Sequence, residues 1–214
     1  MADGRAWGQP LSGIAIYMEG GGESNATKAA LRQGMDTFLQ PLKEAARNKA
    51  LPWKLVCCGP RNEAFKRFRD AVNSSADVVN VLLVDAEGPV NHSARDHLQD
   101  RDEWDLSFAP EETIHLMVQV MEAWIVADLE TLKSYYGQGF RVKQLPRAKN
   151  LESVPKTDVE SSLSEATKDT QKGRYHKIRH ASDLLKRIDA EMVKVRCCHC
   201  QRLFDEIGRI LGAV

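Results

Sequence analysis

Glu19 and Glu23 bracket a glycine run, Glu19-Gly20-Gly21-Gly22-Glu23, and Asp85-Ala86-Glu87 follows the most hydrophobic stretch of the chain. Hard divalent cations such as Mg²⁺ and Mn²⁺ take oxygen ligands, and a catalytic site holds them with a few carboxylates, waters and substrate phosphate. Residues two apart in an extended segment project to the same side, so Asp85 and Glu87 can reach one ion. Glu19 would face them from the end of a first strand. Glu23, at the start of a helix, would add a ligand, serve as general base or favour the positive helix N-terminus. Acids that merely cap helices give the same local pattern. Two acidic sets at the ends of two strands, one beside glycines that let a ligand approach the backbone, favour the metal reading.

The elements that must position these acids alternate between strand and helix. Residues 13–18 read as a short buried strand, and Leu31, Met35, Phe38, Leu39, Leu42, Ala45 and Ala46 recur at helical spacing, with Pro41 expected to kink or divide that helix. Residues 53–58 read as a second strand closed by Gly59-Pro60, and Ala64, Phe65, Phe68, Ala71 and Val72 give the next helix an apolar face. The run 78–84 is nearly all apolar and β-branched, as a central strand covered on both faces requires. A fourth strand is expected over 114–121, followed by a helix from Glu122 to about Tyr136. Glu122 therefore heads that helix at the same end of the sheet, as a further metal ligand or a first-turn acid.

This alternation predicts an α/β fold with a mostly parallel, Rossmann-like sheet of about four strands flanked by helices. The core is expected over 12–137, a linker or long loop over 138–156, and a C-terminal helical segment over 157–214 packed on the core. In that last segment Leu184, Leu185, Ile188, Met192 and Val195 form one stripe, and Leu203, Phe204, Ile207, Ile210 and Leu211 another. Parallel neighbours would bring the acids together at the carboxyl ends of the strands, where open α/β sheets place their sites.

The chain has 214 residues and a net charge of zero, but its charge is divided. Twelve acids and two bases lie between Asp85 and Glu130, and twelve bases and six acids between Arg141 and Arg187. The division suits a protein that holds cations with one segment and phosphate with another, or one whose fold pairs the two. Met1–Trp7 carries no apolar signal core, and no apolar run is long enough to cross a bilayer, so a cytoplasmic protein without a membrane partner is expected.

Other motifs carry less. The glycine run lacks a glycine before a Lys-Ser or Lys-Thr pair, and Asn25 stands where a dinucleotide fingerprint counted from Gly20 needs its third glycine. Five cysteines, with Cys57-Cys58 adjacent and three within Cys197-Cys198-His199-Cys200, read as reduced thiols. The consecutive Cys-Cys-His-Cys residues cannot all converge on one ion from a helix. A zinc site would need Cys57 and Cys58 as its missing half, so buried or incidental thiols are the better reading. Lys172, Arg174, Lys177, Arg179 and His180 form a basic cluster that would bind a scissile phosphate or remain a solvated loop.

The order strand, Glu-Gly-Gly-Gly-Glu, helix, then strand, Asp-Ala-Glu-Gly, is similar to the Toprim domain of topoisomerases, primases and the overcoming-lysogenization-defect nucleases. Glu19 matches the first acid of that pattern, Asp85 and Glu87 the later pair, with Asp-x-Glu in place of the commoner Asp-x-Asp. Glu23 looks like the additional acid of the nuclease branch. The segments Met121–Asp128, Tyr175–His180 and Cys200–Phe204 resemble small bacterial Toprim-like proteins encoded beside AAA ATPases in loci that look like phage defence.

The resemblance implies a Mg²⁺- or Mn²⁺-dependent, phosphodiester-cleaving enzyme of antiviral defence, with Lys177 and His180 as functional residues and an AAA ATPase as partner. Nucleic acid is the expected substrate, DNA before RNA, and self-association is left open. Two other readings use the same residues: a nucleotide phosphohydrolase or phosphotransferase, and a non-catalytic subunit that regulates an ATPase.

Overall fold

A computed structural model describes residues 11–213; Met1–Trp7, read above for a leader, and Val214 lie outside the described residues. Four strands, β1 (Gly13–Met18), β2 (Trp53–Cys57), β3 (Val78–Asp85) and β4 (Ile114–Met117), form one parallel sheet in the order β2-β1-β3-β4. The chain steps outward from β1 to β2, then returns to lay β3 on the other side of β1. The junction of β1 and β3 is thus the topological switch point of a Rossmann-like sheet.

Helices α1 (Asn25–Phe38), α2 (Gln40–Asn48), α3 (Arg61–Ser74) and α4 (Ala94–Asp102) fill the crossovers. After β4 come α5 (Glu122–Ala127), α6 (Leu129–Tyr136), α7 (Lys156–Thr167), α8 (Lys177–Leu185), α9 (Ala190–Arg196) and α10 (Cys198–Ile210). The apolar run of β3 is explained by its two covered faces. Val79, Val81 and Leu83 share a core with α1, α2 and the helices after β4, whereas Leu82 and Val84 pack with Ala64, Phe68 and Val72 of α3 and Leu98 of α4. Each such side chain contributes about 1.5–3 kcal/mol by its burial.

Pro41 divides the first helical pattern: α1 ends at Phe38, and α2 begins with proline in its first turn, where a missing N–H costs nothing. Three expectations need correction. The fourth strand stops at Met117 rather than 121, because the next residues turn across the end of β3. Ala86 N–H donates to Met117 O at 2.9 Å and Glu87 N–H to Gln119 O at 2.7 Å. Residues 118–121 are as buried as a strand, so an apolar run alone does not separate the two.

The helix expected from Glu122 to Tyr136 breaks at Asp128, whose carboxylate accepts from Thr131 N at 3.0 Å and from Asp189 N at 2.9 Å. The stripe from Leu184 to Val195 also splits. Asp189 starts α9 by capping Glu191 N at 2.9 Å, and this turn leaves Met192 and Val195 47% and 83% exposed.

One glycine sets how closely two helices approach. A Cβ on Gly34 of α1 would lie 2.5 Å from Ser182 O of α8, so only glycine permits the observed packing. That contact seats α8, whose first residue is Lys177.

Candidate metal centre at the switch point

The parallel register pairs Met18 with Leu83, so Glu19 and Asp85 leave adjacent strands side by side. The glycines that follow Glu19 hold left-handed backbone, with φ of 107°, 92° and 63° at Gly20, Gly21 and Gly22. A Cβ on Gly21 would lie 2.9 Å from Lys28 Cα. The run therefore folds tightly onto the start of α1, where Ser24 caps Thr27 N at 3.1 Å. Gly20 and Gly59 exchange backbone hydrogen bonds of 2.8 and 3.1 Å, which ties the ends of β1 and β2 together.

Glu19, Asp85 and Glu87 each offer a carboxylate oxygen, and these oxygens lie within 4.8 Å of one another. Asp85 is buried, Glu19 and Glu87 partly so. Glu87 holds φ of +64°, an uncommon state for a residue with a Cβ. Glu122 at the head of α5 is 1% exposed, and its Oε2 is buried without a hydrogen-bond partner.

Cationic side chains surround the acids. Lys177 Nζ lies 3.2 Å from Asp85 Oδ2 and 3.6 Å from Glu122 Oε2. Arg61, first residue of α3, grips both Asp102 oxygens, at 2.9 and 2.6 Å, and donates through Nη1 to Glu19 Oε2 at 3.1 Å and Asp85 O at 2.6 Å. Lys156 pairs with Glu87. Met121 N–H donates to Asp85 Oδ1 at 2.8 Å, and Tyr175 OH to Glu122 Oε1 at 2.9 Å.

Burial, and then the Asp85 charge, raise the carboxyl pKa of Glu19 against the opposing Arg61. Burial raises that of Asp85 against Lys177. For Lys177 burial acts to discharge the amine, but Asp85 and Glu122 outweigh it and hold the ammonium above its ordinary value. Burial and Glu122 push the Tyr175 phenol well up, so it stays a donor. Three carboxylates whose oxygens converge in this way form a donor set that suits a hard divalent cation.

Glu19 and Asp85 open on a cavity of about 520 Å³ lined also by Gly20–Gly22, Tyr175 and Lys177, with Leu31, Met121 and Ile178 as an apolar wall. Two sequence candidates lie apart from this group. Glu23 is exposed, and among the described residues it makes no side-chain hydrogen bond or ion pair. His180 stands behind Tyr175: its Nδ1 accepts from His176 N at 3.2 Å and meets Tyr136 OH at 3.1 Å, which supports the start of α8 at Lys177. Burial, then His176, lowers its pKa.

The sequence pattern did not single out Arg61, Lys156 or Gln119. Arg61 had a signal, since it follows the Gly59-Pro60 turn at the carboxyl end of β2. Lys156 had none. Part of the basic segment is taken up by pairing: Arg141 with Asp169, Lys168 and Arg174 with Glu165. Lys143, Arg147 and Lys149 instead line a surface groove with Met192 and Val195.

Residues 18–208 match the family described as "Domain of unknown function (DUF4276)". The chain belongs to this family. The matched span contains every residue of the acidic group and its cationic partners, from Glu19 to Lys177. Comparisons with curated proteins and with solved structures found no match. Among the described residues no helix is long and apolar enough to cross a membrane.

Proposed function

We propose that this protein is a Toprim-type, divalent-metal-dependent enzyme of the cytoplasm that cleaves phosphodiester bonds in nucleic acid, DNA before RNA. The observation that carries the reading is the convergence of Glu19, Asp85 and Glu87 at the switch point, within 4.8 Å of one another. These residues would hold Mg²⁺ or Mn²⁺, with Glu122 as a further ligand. The bound ion would supply an activated water and neutralise charge in the transition state.

The chain's own groups do the rest. Lys177 projects its ammonium into the cavity, where it can take up a non-bridging phosphate oxygen as negative charge develops. Arg61 fixes the Glu19 carboxylate, and the peptide N–H of Met121 fixes that of Asp85, so both are oriented before any ligand arrives. Lys143, Arg147 and Lys149 provide non-specific backbone contacts whose strength should fall as salt rises. The resemblance to proteins encoded beside AAA ATPases supports an ATPase partner in antiviral defence.

The test is purified protein with labelled single- and double-stranded DNA and RNA, alongside free nucleotides, in Mn²⁺, Mg²⁺ or EDTA. Cleavage that needs the metal and is lost in an Asp85→Ala, Glu87→Ala variant is expected. Cleavage in EDTA, or by that variant, overturns the mechanism, and turnover of free nucleotides alone would transfer it to a phosphohydrolase.

A further inference from the structure

Residues 197–200 bring three thiols and a histidine together in sequence with no acidic partner beside them. The fold supplies one from 46 residues upstream: Glu152 Oε2 accepts from Cys198 Sγ at 2.7 Å and lies 2.8 Å from His199 Nδ1, while Oε1 accepts from His199 N at 2.7 Å. Cys197 and Cys200 point into the core instead, and Cys57 and Cys58 lie at the end of β2. Glu152 is 6% exposed, whereas Cys198 is exposed, so the group is anchored from inside and reached from outside.

We propose that Glu152, Cys198 and His199 form a second metal site, selective for a thiophilic divalent cation such as Zn²⁺ and distinct from the hard-cation site at Asp85. Three protein ligands of types O, S and N, with a fourth position open to solvent, are the ligand types and count of many zinc centres. Cys198 Sγ and His199 Nδ1 are 3.6 Å apart. A tetrahedron with Zn–S of about 2.3 Å and Zn–N of about 2.0 Å has an S–N edge of about 3.5 Å, so these two ligands already have the spacing. The Glu152 oxygen now bridges both by hydrogen bonds and would withdraw by less than about 1 Å to admit the ion.

The proton balance is defined. Cys198 releases its thiol proton to solvent, and neutral His199 carries its remaining ring proton on Nε2, leaving Nδ1 free to ligate. One carboxylate and one thiolate then neutralise the dication, so no net charge is buried. Without metal, burial and the Glu152 hydrogen bond hold the Cys198 thiol up at about 11.

The position gives the site a purpose. Glu152 O accepts from Gln119 Nε2 at 3.4 Å, and Gln119 Oε1 accepts from Lys156 N at 3.0 Å, the residue paired with Glu87. An ion here would clasp the 150–156 segment to α10 behind the acidic group.

The experiment is metal stripping by chelator, reloading with Zn²⁺ or Co²⁺, and measurement of bound metal, Co²⁺ absorption and Tm for wild type, Cys198→Ser, His199→Gln and Asp85→Asn. Cys198→Ser keeps a hydrogen bond to Glu152 and sits on the surface, so it should fold. Expected are one tightly held Zn²⁺, a thiolate-to-cobalt charge-transfer band, and a Tm rise of about 5–10 °C at a hundredfold excess over Kd. All three should persist in Asp85→Asn and disappear in Cys198→Ser and His199→Gln. A stripped protein that takes up no Zn²⁺, or cobalt without the thiolate band, or binding unaltered in Cys198→Ser, would show only a helix cap and overturn the proposal. Because Asp85→Asn separates the two sites, either can fail alone.

Discussion

Lys177 holds its ammonium 3.2 Å from the buried carboxylate of Asp85, although 92 residues separate them in sequence. The same ammonium lies 3.6 Å from Glu122, so one lysine balances two acids at the mouth of the cavity. Substrate phosphate would compete for that ammonium. Lys177→Ala should lower the cleavage rate by about 10²–10³-fold, the usual cost of losing one charge-stabilising donor. Affinity for Mn²⁺ should not fall, because the variant removes a cation that competes for Asp85. A parallel loss of metal affinity would instead assign Lys177 a structural role.

Full Mn²⁺ affinity is predicted to require arginine at position 61, and lysine should not replace it. Its guanidinium reaches Asp102 twice and Glu19 and Asp85 O once each, a fork that one ammonium cannot reproduce. Arg61→Ala removes two hydrogen bonds from the largely buried Asp102, which keeps only its pairing with Arg101, and should destabilise by about 1–3 kcal/mol in urea unfolding. Arg61→Lys should keep most of that stability but reduce Mn²⁺ affinity through a loosened Glu19.

Gly34→Ala should cost about 1–3 kcal/mol of stability by overpacking, despite alanine's better helix propensity. Its Cβ would fall 2.5 Å from Ser182 O, and the helix bearing Lys177 would have to move away. Unfolding and cleavage measured on one preparation should fall together. An unchanged rate would mean that α8 does not position Lys177 through this contact.

Stability should decline below pH 6.5 because of His115. The ring is buried in β4, and burial, then the Arg202 charge, press its pKa from 6.5 down to about 3. The 3.8 Å approach of Glu206 is therefore no ion pair at neutral pH. Since the folded pKa is depressed, the stabilisation is present above the unfolded value near 6.5 and is lost as pH falls toward 3. The slope should reach about 1.4 kcal/mol per pH unit in that window. His115→Gln should flatten it, and an equally steep fall in that variant would place the titration elsewhere.

The acids were legible because each closes a local pattern: an apolar run for Asp85, a glycine run for Glu19, a helix start for Glu122. Of their partners, Lys177 was reached only through the family resemblance, and Arg61, Lys156 and the Tyr175 hydroxyl were not legible: Arg61 arrives on the crossover helix α3 and the other two from segments after β4, placements that no local spacing encodes. Glu23 shows the reverse case, in which proximity in sequence to Glu19 misleads because three left-handed glycines turn the chain between them. The strand alternation gave the sheet, whereas the breaks at Asp128 and Asp189 depend on side-chain caps within otherwise helical patterns.

The central claim is that Glu19, Asp85 and Glu87 bind a divalent cation, and Mn²⁺ titration followed by electron paramagnetic resonance tests it most directly. In a Cys198→Ser background, which silences the thiol site, a saturable Mn²⁺ signal is expected and should vanish in Asp85→Asn and weaken in Glu19→Gln. Saturable binding that persists undiminished in Asp85→Asn, or none in the folded parent protein, would contradict the claim.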